Sequence, residues 1–326
     1  MRHNTSGRPP PKQAVDDTIK KIINNRSEKN KMNKTDFKNV LQGKTTPTLT
    51  QNAIDGDYYK LPEGVSDEYN SKLKKYSLFR RHATVNSINA SEGKIYIPSI
   101  SYTASWIDEN ESIPKSIENL TAIPLNSKKL ATMIKVKCNI VEDELFNLTD
   151  YLINTFARCF GQAEDNAYLN GNGVKTPTGI LTEGGATVGA VTESTTLISF
   201  EDLQALYYSV PTEYRENAVF IMHDNTAMQL RTLTDANGYP LINQDNNTLF
   251  GKPVETSAGM PECAAGAKAV VFGDLSYYSI IERQPLAVKC LTELYINNSE
   301  YGYIGTERLD GKLTNKNAVK VLKMND

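Results

Sequence analysis

The chain has 326 residues, 39% of them hydrophobic and 23% charged, which suffices for one large or two modest domains with a buried core. It has no run of about 18 apolar residues and its first twelve residues, MRHNTSGRPPPK, hold no apolar segment, so neither a membrane span nor a signal peptide is predicted. The net charge of −2 is unevenly distributed: residues 1–44 hold eleven Lys or Arg and four Asp or Glu, which gives this segment +7 and the remainder −9.

Residues 1–44 therefore form a basic arm on an acidic body, and this charge pattern favours contact between the arm and an anionic partner. Nucleic acid and the acidic face of a neighbouring subunit both fit. A solvated, partly disordered tail is the alternative interpretation.

Two short stretches of the arm have helical periodicity. The first carries apolar residues on one helical face: Val15, Ile19, Ile22 and Ile23. In the second, Thr35 is predicted to cap a short turn that carries Phe37, Val40 and Leu41 and stops at Gly43. Neither stretch is long enough to form a stable helix alone.

Residues 44–64 are predicted to be an extended linker, and a strand-like region follows further along the chain. Residues 94–107, KIYIPSISYTASWI, alternate apolar and polar side chains, and residues 129–140 alternate again. Between them lies the polar segment DENESIPKSIENLTAIPL, residues 108–125. The pattern predicts a long β-hairpin or extended loop that leans on another surface, because the tip is too long for a tight turn. A surface hairpin packed on its own body is the alternative.

The clearest predicted helix spans residues 141–169. Its apolar residues recur at steps of three and four: Leu145, Leu148, Leu152, Phe156, Cys159 and Ala163. Acidic residues 142–144 fall in the predicted first turn, where the helix dipole favours them. Gly171 and Gly173 supply the positive φ angles that end a helix, and Pro177 prevents its resumption. A Gly-rich turn can also bind phosphate, but these glycines follow a helix, so no helix N-terminus faces the turn.

Residues 199–285 predict an α/β module. Ser199 and Asp202 resemble a capping box for one helix. Asp224 is predicted to cap a second helix after the buried strand 218–223. The segment 235–241 reads as a turn. Further strands are predicted at GKPVETS, AVVFGDL and YYSIIER, and the remainder of the chain is predicted to be mostly β.

The residue patterns of common enzymes are absent from this sequence. It contains no GxSxG, HExxH, Walker A or GxGxxG motif, and its histidines, His3, His82 and His223, lie in unrelated contexts. His223 beside Asp224 could mimic a general base and its orienting carboxylate, but a strand end followed by a helix cap explains the pair better. No catalytic, cofactor-binding or metal-binding residue is therefore predicted, and the protein is not expected to be an enzyme.

The remaining reactive or anchoring side chains also fit a structural role. The cysteines form no CxxC and no close Cys/His pair, so a zinc site is not predicted, and reduced thiols are expected: Cys138, Cys159, Cys263 and Cys290. The single tryptophan, Trp106, lies in the extended segment. It could anchor a contact between subunits or pack within its own hairpin.

Several stretches occur in a characteristic order. The helix exit carries Glu164, Ala167 (one place later than in the family pattern), Leu169, Asn170, Gly171, Gly173, Pro177, Gly179, Ile180 and Leu181. RTLTDANGYPL then precedes LFGKPVETSAGMP, with Arg231, Asp235, Gly238, Tyr239, Leu249, Gly251, Pro253, Val254 and Pro261. VVFGDLSYYSIIERQPLAVK and GTERLDGKLTNKNAVKVLK follow. Over roughly residues 75–326 this order resembles the major capsid proteins of tailed bacteriophages, which have the Hong Kong 97-type capsid fold.

The resemblance implies an α+β fold with an N-arm, an extended β-hairpin loop, a peripheral domain with a long spine helix, and an axial domain. The implied parts, in chain order, are a basic arm at 1–75, the extended loop and start of the peripheral domain at 76–140, the spine helix and peripheral domain at 141–198, the axial domain at 199–285, and the return strands of the peripheral domain at 286–326.

The resemblance further implies a major capsid protein that self-assembles into hexamers and pentamers of an icosahedral shell around phage double-stranded DNA. Its expected partners are copies of itself, DNA held by non-specific charge, a portal and decoration proteins. A separate scaffolding protein is expected too, since only about 60 to 75 residues precede the shared region. Virions, assembled in the bacterial host cytoplasm, are the expected location. An encapsulin-like shell around protein cargo is the alternative, against which the basic arm counts.

One family member crosslinks its subunits through Lys–Asn isopeptide bonds. Lys115 lies in the extended segment, and Asn297 and Asn298 lie near the end of the sequence. These positions do not map onto the family's crosslinking residues one by one, so the resemblance carries no prediction about crosslinking.

Overall fold

The computed structural model describes residues 34–43, 53–54, 58–88, 93–99, 119–143, 146–233, 242 and 246–326. Several predictions fall outside these residues, namely those for Val15 to Ile23, Trp106, Lys115, His3 and the turn at 235–241. The chain divides into two compact units, which are described separately. The first comprises residues 1–68, 133–153 and 286–305, and the second comprises residues 69–132, 154–285 and 306–326.

The helices are α1 Lys34–Leu41, α2 Glu63–Tyr76, α3 Leu78–His82, α4 Cys138–Glu142, α5 Leu148–Asn170, α6 Phe200–Ser209 and α7 Asp224–Thr232. The strands are β1 Ala53–Ile54, β2 Tyr58–Lys60, β3 Thr84–Ser87, β4 Gly93–Ser99, β5 Asn119–Leu125, β6 Lys128–Lys137, β7 Thr187–Val191, β8 Val219–Met222, β9 Thr248–Leu249, β10 Lys252–Thr256, β11 Lys268–Gly273, β12 Tyr278–Leu291, β13 Glu300–Leu313 and β14 Val319–Lys323.

The short helix α1 belongs to the first unit and confirms the second helical stretch of the arm. Phe37, Val40 and Leu41 are buried, as their spacing predicts. Gly43 ends the helix with φ 69°, and its N–H donates to the carbonyl of Val40. The helix begins at Lys34, so Thr35 lies inside it and does not cap it. The Tyr303 hydroxyl donates to the Leu41 carbonyl at 2.7 Å, which satisfies an acceptor that the helix end leaves open.

The predicted linker at residues 44–64 contains two strands. β1 and β2 pair antiparallel, and β2 pairs with β12 at Ala287 and Val288. The order of the whole sheet is β1-β2-β12-β13-β6, with β3 also on β12. The linker prediction was wrong here, because these short strands gain their order by joining a larger sheet and show little alternation of their own.

A mixed six-stranded sheet, with the order β7-β14-β11-β8-β10-β9, dominates the second unit. β8 is parallel to β10 and antiparallel to β11, and all four of its residues are buried, as its continuous apolar sequence predicts. β14 pairs with β11 in this sheet. The domain division predicted from the sequence differs on this point, because it places residues 319–323 among the return strands of the peripheral domain.

Two helices flank this sheet, and their caps differ from each other. Ser199 and Asp202 form the predicted capping box at the start of α6. At α7 the capping residue is His223, whose Nδ1 accepts from the N–H of Asn225 at 3.1 Å, while Asp224 is the first helical residue. The prediction of an Asp224 cap was therefore wrong by one position, because an imidazole nitrogen fills the acceptor role.

The extended segment forms a hairpin, but its second strand is not the one predicted from the sequence. β4 pairs with β5 antiparallel, from Gly93 opposite Leu125 to Ser99 opposite Asn119, and this two-stranded sheet joins no other described strand. β5 lies in the segment that the sequence assigned to the polar tip. The predicted second arm is β6, which belongs to the sheet of β12 and β13. Alternation alone identified the strands but could not identify their partners.

The long helix α5 begins at Leu148 and ends at Asn170, so its predicted start at residue 141 was wrong. Residues 138–142 form a separate short helix. The Asn147 side chain accepts from the N–H of Asp150 at 3.2 Å, and this cap fixes the true beginning of α5. Glu142 and Asp143 therefore precede α5, and Glu144 lies outside the described residues.

Candidate functional site

In the second unit, the helix exit is held together by a compact set of backbone hydrogen bonds. After α5 the chain turns through residues 171–178 and returns alongside the helix end. Ile180 N–H donates to Tyr168 O at 2.8 Å, and Leu181 N–H donates to Leu169 O at 2.9 Å. Carbonyls that a helix end leaves open are thereby satisfied by the returning segment.

Glycine is required at this exit for two distinct reasons. Gly173 has φ 75°, which favours glycine. A Cβ on Gly179 would lie 2.4 Å from Leu169 O and 2.5 Å from Gly171 N, so the two backbone segments approach too closely for any side chain. The Asn170 side chain also donates to Gly259 O at 2.7 Å. The glycine-rich spacing of the exit is therefore explained by packing, without a bound phosphate.

A buried network of charged and phenolic groups lies next to this exit. Arg80 of α3 donates through Nε and Nη2 to the two carboxylate oxygens of Glu164 on α5, at 2.8 and 2.7 Å. Arg80 Nη1 also lies 3.4 Å from Oε1 of Glu282 on β12. The Arg80 and Glu164 side chains are 5% and 0% exposed, so this bidentate pair is shielded from solvent.

Glu307 of β13 is the second carboxyl group of the network. The Tyr69 hydroxyl of α2 donates to Glu307 Oε1, while Glu307 Oε2 and the Tyr168 hydroxyl are buried without a partner among the described residues. Burial, and then the negative charge of Glu164, raises the pKa of Glu307 well above its usual value, and Arg80 opposes this. Burial also raises the pKa of Tyr69 and of Tyr168. Its buried position beside Glu164 thus favours the protonated form of Glu307.

The neighbouring carboxylate, Asp165, ties α5 to the start of α3. It accepts from the Ser77 hydroxyl at 2.6 Å and from the backbone N–H of Leu78 and Phe79 at 2.8 and 3.2 Å. Burial raises the pKa of Asp165, although these three hydrogen bonds oppose the rise. Consecutive acidic residues of α5 therefore anchor both the N-terminus and the guanidinium of α3.

The sequence did not predict this network, apart from naming Glu164 as part of the helix exit. It overlooked α2 and α3, which supply Tyr69 and Arg80. A signal was present at Glu282, which directly follows the apolar pair Ile280 and Ile281, whereas Glu307 lies in the mixed sequence GTERL and stands out less. A charge at a buried strand position requires a partner.

The structure does not arrange His223 and Asp224 as a general base and its orienting carboxylate. Nδ1 of His223 is occupied by the N–H of Asn225, and the Asn225 side chain donates to Glu262 at 2.8 Å. The ring nitrogen that an orienting carboxylate would need is therefore the cap acceptor. His82 lies elsewhere in the unit, 3.5 Å from Glu255.

The described residues contain no group of three or more His, Cys, Asp or Glu side chains arranged to hold a metal ion. All four cysteines are free thiols. Burial raises the pKa of Cys290 to about 11, so this thiol is unreactive near neutral pH. In the part of the chain that the structure describes, no helix combines the length and apolar character of a membrane span.

Solved structures that are similar to this chain include proteins of capsids and procapsids. The chain is 25% identical to the capsid protein of an empty GTA particle, with 87% of this chain and 94% of that chain covered and a TM-score of 0.66. A structure from Microbacterium phage Oxtober96 shares the fold at 19% identity, 76% and 91% coverage and a TM-score of 0.56. A procapsid protein of satellite phage P4, solved with a size determination (Sid) protein, does so at 13% identity, 80% and 100% coverage and a TM-score of 0.53.

Among curated protein sequences none matches this chain. A family model described as the phage capsid family, however, matches residues 58–324 and so covers most of the sequence. The match includes the buried network, the helix exit and every strand of the six-stranded sheet in the second unit. The predicted resemblance and α+β capsid fold are therefore confirmed, and this chain, a structural shell protein, belongs to the phage capsid family.

Proposed function

We propose that this capsid protein is the major head subunit of a tailed phage, and that it assembles as pentamers and hexamers into an icosahedral shell around double-stranded DNA. The family match over residues 58–324 carries the proposal. Many modest contacts per subunit, multiplied by closed symmetry, would hold such a shell together. Assembly would take place in the host cytoplasm, with a scaffolding protein, a portal and decoration proteins as further partners.

The β4–β5 hairpin supports a role in contacts between subunits. A two-stranded hairpin is at best marginally stable alone, and this one pairs with no other described strand. We infer that it extends over a neighbouring subunit. In the same scheme, α5 and β13 belong to the peripheral domain and residues 199–285 form the axial domain, whose sheet β14 joins.

The basic arm supports contact with DNA on the inner face of the shell. Residues 1–44 carry +7, and clustered Lys and Arg side chains bind phosphate backbones without sequence preference. An encapsulin-like shell would enclose protein and has no use for this charge. The charge of the arm therefore favours the phage shell over that alternative.

The experiment is expression of the chain alone, followed by sedimentation velocity and negative-stain microscopy. Closed shells tens of nanometres across are expected. A compact monomer that fails to assemble, even with a crowding agent or with the products of neighbouring genes, would contradict the proposal.

Deleting residues 1–33 tests the arm while leaving α1 in place. The deleted segment carries +5, so shells of the deleted chain should retain less nucleic acid, measured by the ratio of absorbance at 260 and 280 nm. A variant with the order of residues 1–33 scrambled keeps the charge and should retain as much nucleic acid as the intact chain. Shells that instead purify with a defined protein cargo would favour the encapsulin-like alternative.

A further inference from the structure

Two Asn-Gly pairs follow one another in the helix exit of the second unit. Asn170 precedes Gly171, and Asn172 precedes Gly173. The side-chain amide of an asparagine is open to attack by the backbone nitrogen of a following glycine, because glycine has no Cβ to hinder the approach. The two pairs have the same covalent chemistry, so a difference in their reactivity must come from the fold.

The fold protects the first pair. The Gly171 N–H donates to the Ala167 carbonyl at 2.8 Å, in the manner of a helical hydrogen bond, so the attacking nitrogen is held at the end of α5. The Asn170 side chain donates to Asn166 Oδ1 at 3.0 Å and to Gly259 O at 2.7 Å. Attack within this pair would therefore break the hydrogen bonds of both reacting groups.

The second pair has an activated carbonyl group. Oδ1 of Asn172 accepts from the backbone N–H of Val174 at 3.0 Å and of Lys175 at 3.3 Å. The Thr176 hydroxyl donates to the same oxygen at 3.3 Å. Donors that converge on a carbonyl oxygen polarise the carbonyl and stabilise the oxyanion that forms when a nucleophile attacks its carbon. The turn thus supplies Asn172 with an oxyanion hole.

The nucleophile of the second pair is less restrained than that of the first. The Gly173 N–H donates to the Pro177 carbonyl at 3.3 Å, a longer bond than the one that holds Gly171. Asn172 is exposed, so water and hydroxide reach the reacting atoms. Attack by the Gly173 nitrogen on Cγ of Asn172 closes a five-membered ring, and a reaction between adjacent residues needs no second molecule to form this bond.

We propose that Asn172 is a modification site, at which the fold promotes deamidation with water as the co-reactant. Hydroxide removes the proton of the Gly173 amide, the nitrogen bonds to Cγ of Asn172, and the negative charge moves to Oδ1, where the three donors stabilise it. The Cγ–Nδ2 bond then breaks, and Nδ2 takes a proton from water and leaves as ammonia. A second water opens the resulting succinimide at either carbonyl and leaves an aspartate or an isoaspartate at position 172.

The product places a new negative charge in the helix exit. Its carboxylate lies at a cleft of about 610 Å³ that Lys312, Lys316 and Glu183 also line. An aspartate can accept from the same donors through charge-assisted hydrogen bonds. An isoaspartate instead lengthens the backbone by one carbon, at a residue that forms an isolated β-bridge with Thr178. A population of chains therefore passes with age from one charge state to another.

The first test compares the two asparagines within one peptide, because trypsin releases residues 159–175 together. The folded chain and the chain unfolded in guanidinium chloride are incubated in the same mildly alkaline buffer. Fragmentation mass spectrometry then follows the mass gain at each asparagine over time. In the unfolded chain the two rates should be similar. Folding should raise the rate at Asn172 about tenfold and lower the rate at Asn170 about tenfold. If Asn172 converts no faster in the folded chain than in the unfolded one, the proposal is overturned.

A substitution at Thr176 tests the oxyanion hole without altering either reacting residue. Thr176→Val removes the donor hydroxyl, keeps the shape of the side chain, and should slow the conversion of Asn172 at least about tenfold. Thr176→Ser keeps a hydroxyl and should restore most of the rate. The matched control is Thr182→Val, whose lost hydroxyl donates to Gly179 O and not to Asn172, and it should leave the rate unchanged. Thermal unfolding verifies that each variant is folded.

Equal rates in the folded Thr176→Val and Thr182→Val variants would also overturn the inference, because the donor hydroxyl would then play no part in the reaction. If Thr176→Val does not fold, the comparison of Asn170 with Asn172 in the natural chain still decides the question. Both measurements use the unassembled subunit. A failure to form shells therefore contradicts the proposed function alone, and a failure of Asn172 to convert contradicts this inference alone.

Discussion

Arg80 and Arg81 are adjacent in the sequence but lie in opposite environments. Arg80 is buried and forms a bidentate pair with Glu164. Arg81 pairs with Glu255 at 3.0 Å, and their side chains are 42% and 25% exposed. Coulomb attraction is screened at the exposed pair and is not screened at the buried one, so the two arginines differ in what their removal leaves behind.

We expect Arg80→Met to lower the free energy of unfolding by about 3–5 kcal/mol, because Glu164 is left charged, buried and without its partner. Arg81→Met is the matched control and should cost less than about 1 kcal/mol. Urea denaturation of the unassembled subunits measures both values. Equal losses in the two variants would show that the buried pair is not held as the geometry indicates.

Glu307 gives the subunit a pH dependence of a defined sign. Its pKa is raised in the folded state, first by burial and then by Glu164, with Arg80 opposing. Between its ordinary value of 4.5 and the raised value, the folded chain holds a proton that the unfolded chain has released. The contribution of this group is thus fully present below pH 4.5 and is lost as pH rises toward the folded pKa.

We expect Glu307→Gln to remove this loss, because glutamine is neutral at every pH and its amide oxygen can still accept from Tyr69. The stability of the variant relative to the natural chain should increase from pH 5 to pH 9, by up to about 1.4 kcal/mol for each pH unit within the affected range. Denaturant titrations across that range provide the measurement. Parallel curves for the two proteins would mean that Glu307 is ionised in the folded state.

At the scale of elements, close packing determines the conformation of the turn at the helix exit, as it does for side chains in a core. The reason for glycine at Gly179, in the exit, differs from the reason for glycine at Gly251, elsewhere in the chain. Gly251 has φ 75°, yet a Cβ there would meet nothing within 4 Å. At Gly179 the backbone is ordinary, but the carbonyl of Leu169 occupies the space.

Gly179→Ala is therefore expected to be more damaging than Gly251→Ala. The Gly251 substitution should cost about 1 kcal/mol through its positive φ alone. At Gly179 the returning segment must move, which breaks its hydrogen bonds to the end of α5, and a loss of several kcal/mol or insoluble protein is expected. Soluble yield and thermal unfolding distinguish the two variants. If Gly251→Ala is the more damaging, the close approach at the exit is not as described.

The elements differ in how far their sequence determined them. The capping box at Ser199, the buried strand β8 and the end of α5 follow from local rules, and the sequence predicted each of them. The start of α5 depends on the side chain of Asn147, and the cap of α7 depends on that of His223. In each case the sequence also offered neighbouring residues as plausible caps. The helices α2 and α3 escaped notice because most of α2 is polar and α3 is only five residues long.

At the scale of the whole molecule, pairing between distant segments was the least predictable feature. Alternation identified β6, yet its partner, β13, lies more than a hundred residues away, and β5 was hidden in a segment with two prolines. The buried network has the same character, because Tyr69, Glu164 and Glu307 meet only when five elements are in place. Order along the chain, matched to a known family, supplied the fold that local patterns could not.

The isolated hairpin leads to a prediction about the assembled state. In the unassembled subunit the amides of β4 and β5 should exchange with solvent far faster than those of β8 and β11, which lie inside the six-stranded sheet. In shells the hairpin amides should become protected, while those of β8 and β11 change little. Hydrogen–deuterium exchange with mass spectrometry measures this. Slow hairpin exchange in the free subunit would show that the hairpin is already supported there.

The position of β14 also has a consequence for synthesis on the ribosome. This strand lies between β7 and β11 in the six-stranded sheet, but it is translated about 45 residues after β11. At about 5–20 residues per second, the nascent chain waits about 2–9 s with the sheet divided and two edges unpaired. During translation, neighbouring chains on one messenger RNA thus present open edges to one another. Chaperones that bind exposed strands would act in this interval, before any subunit can join a shell.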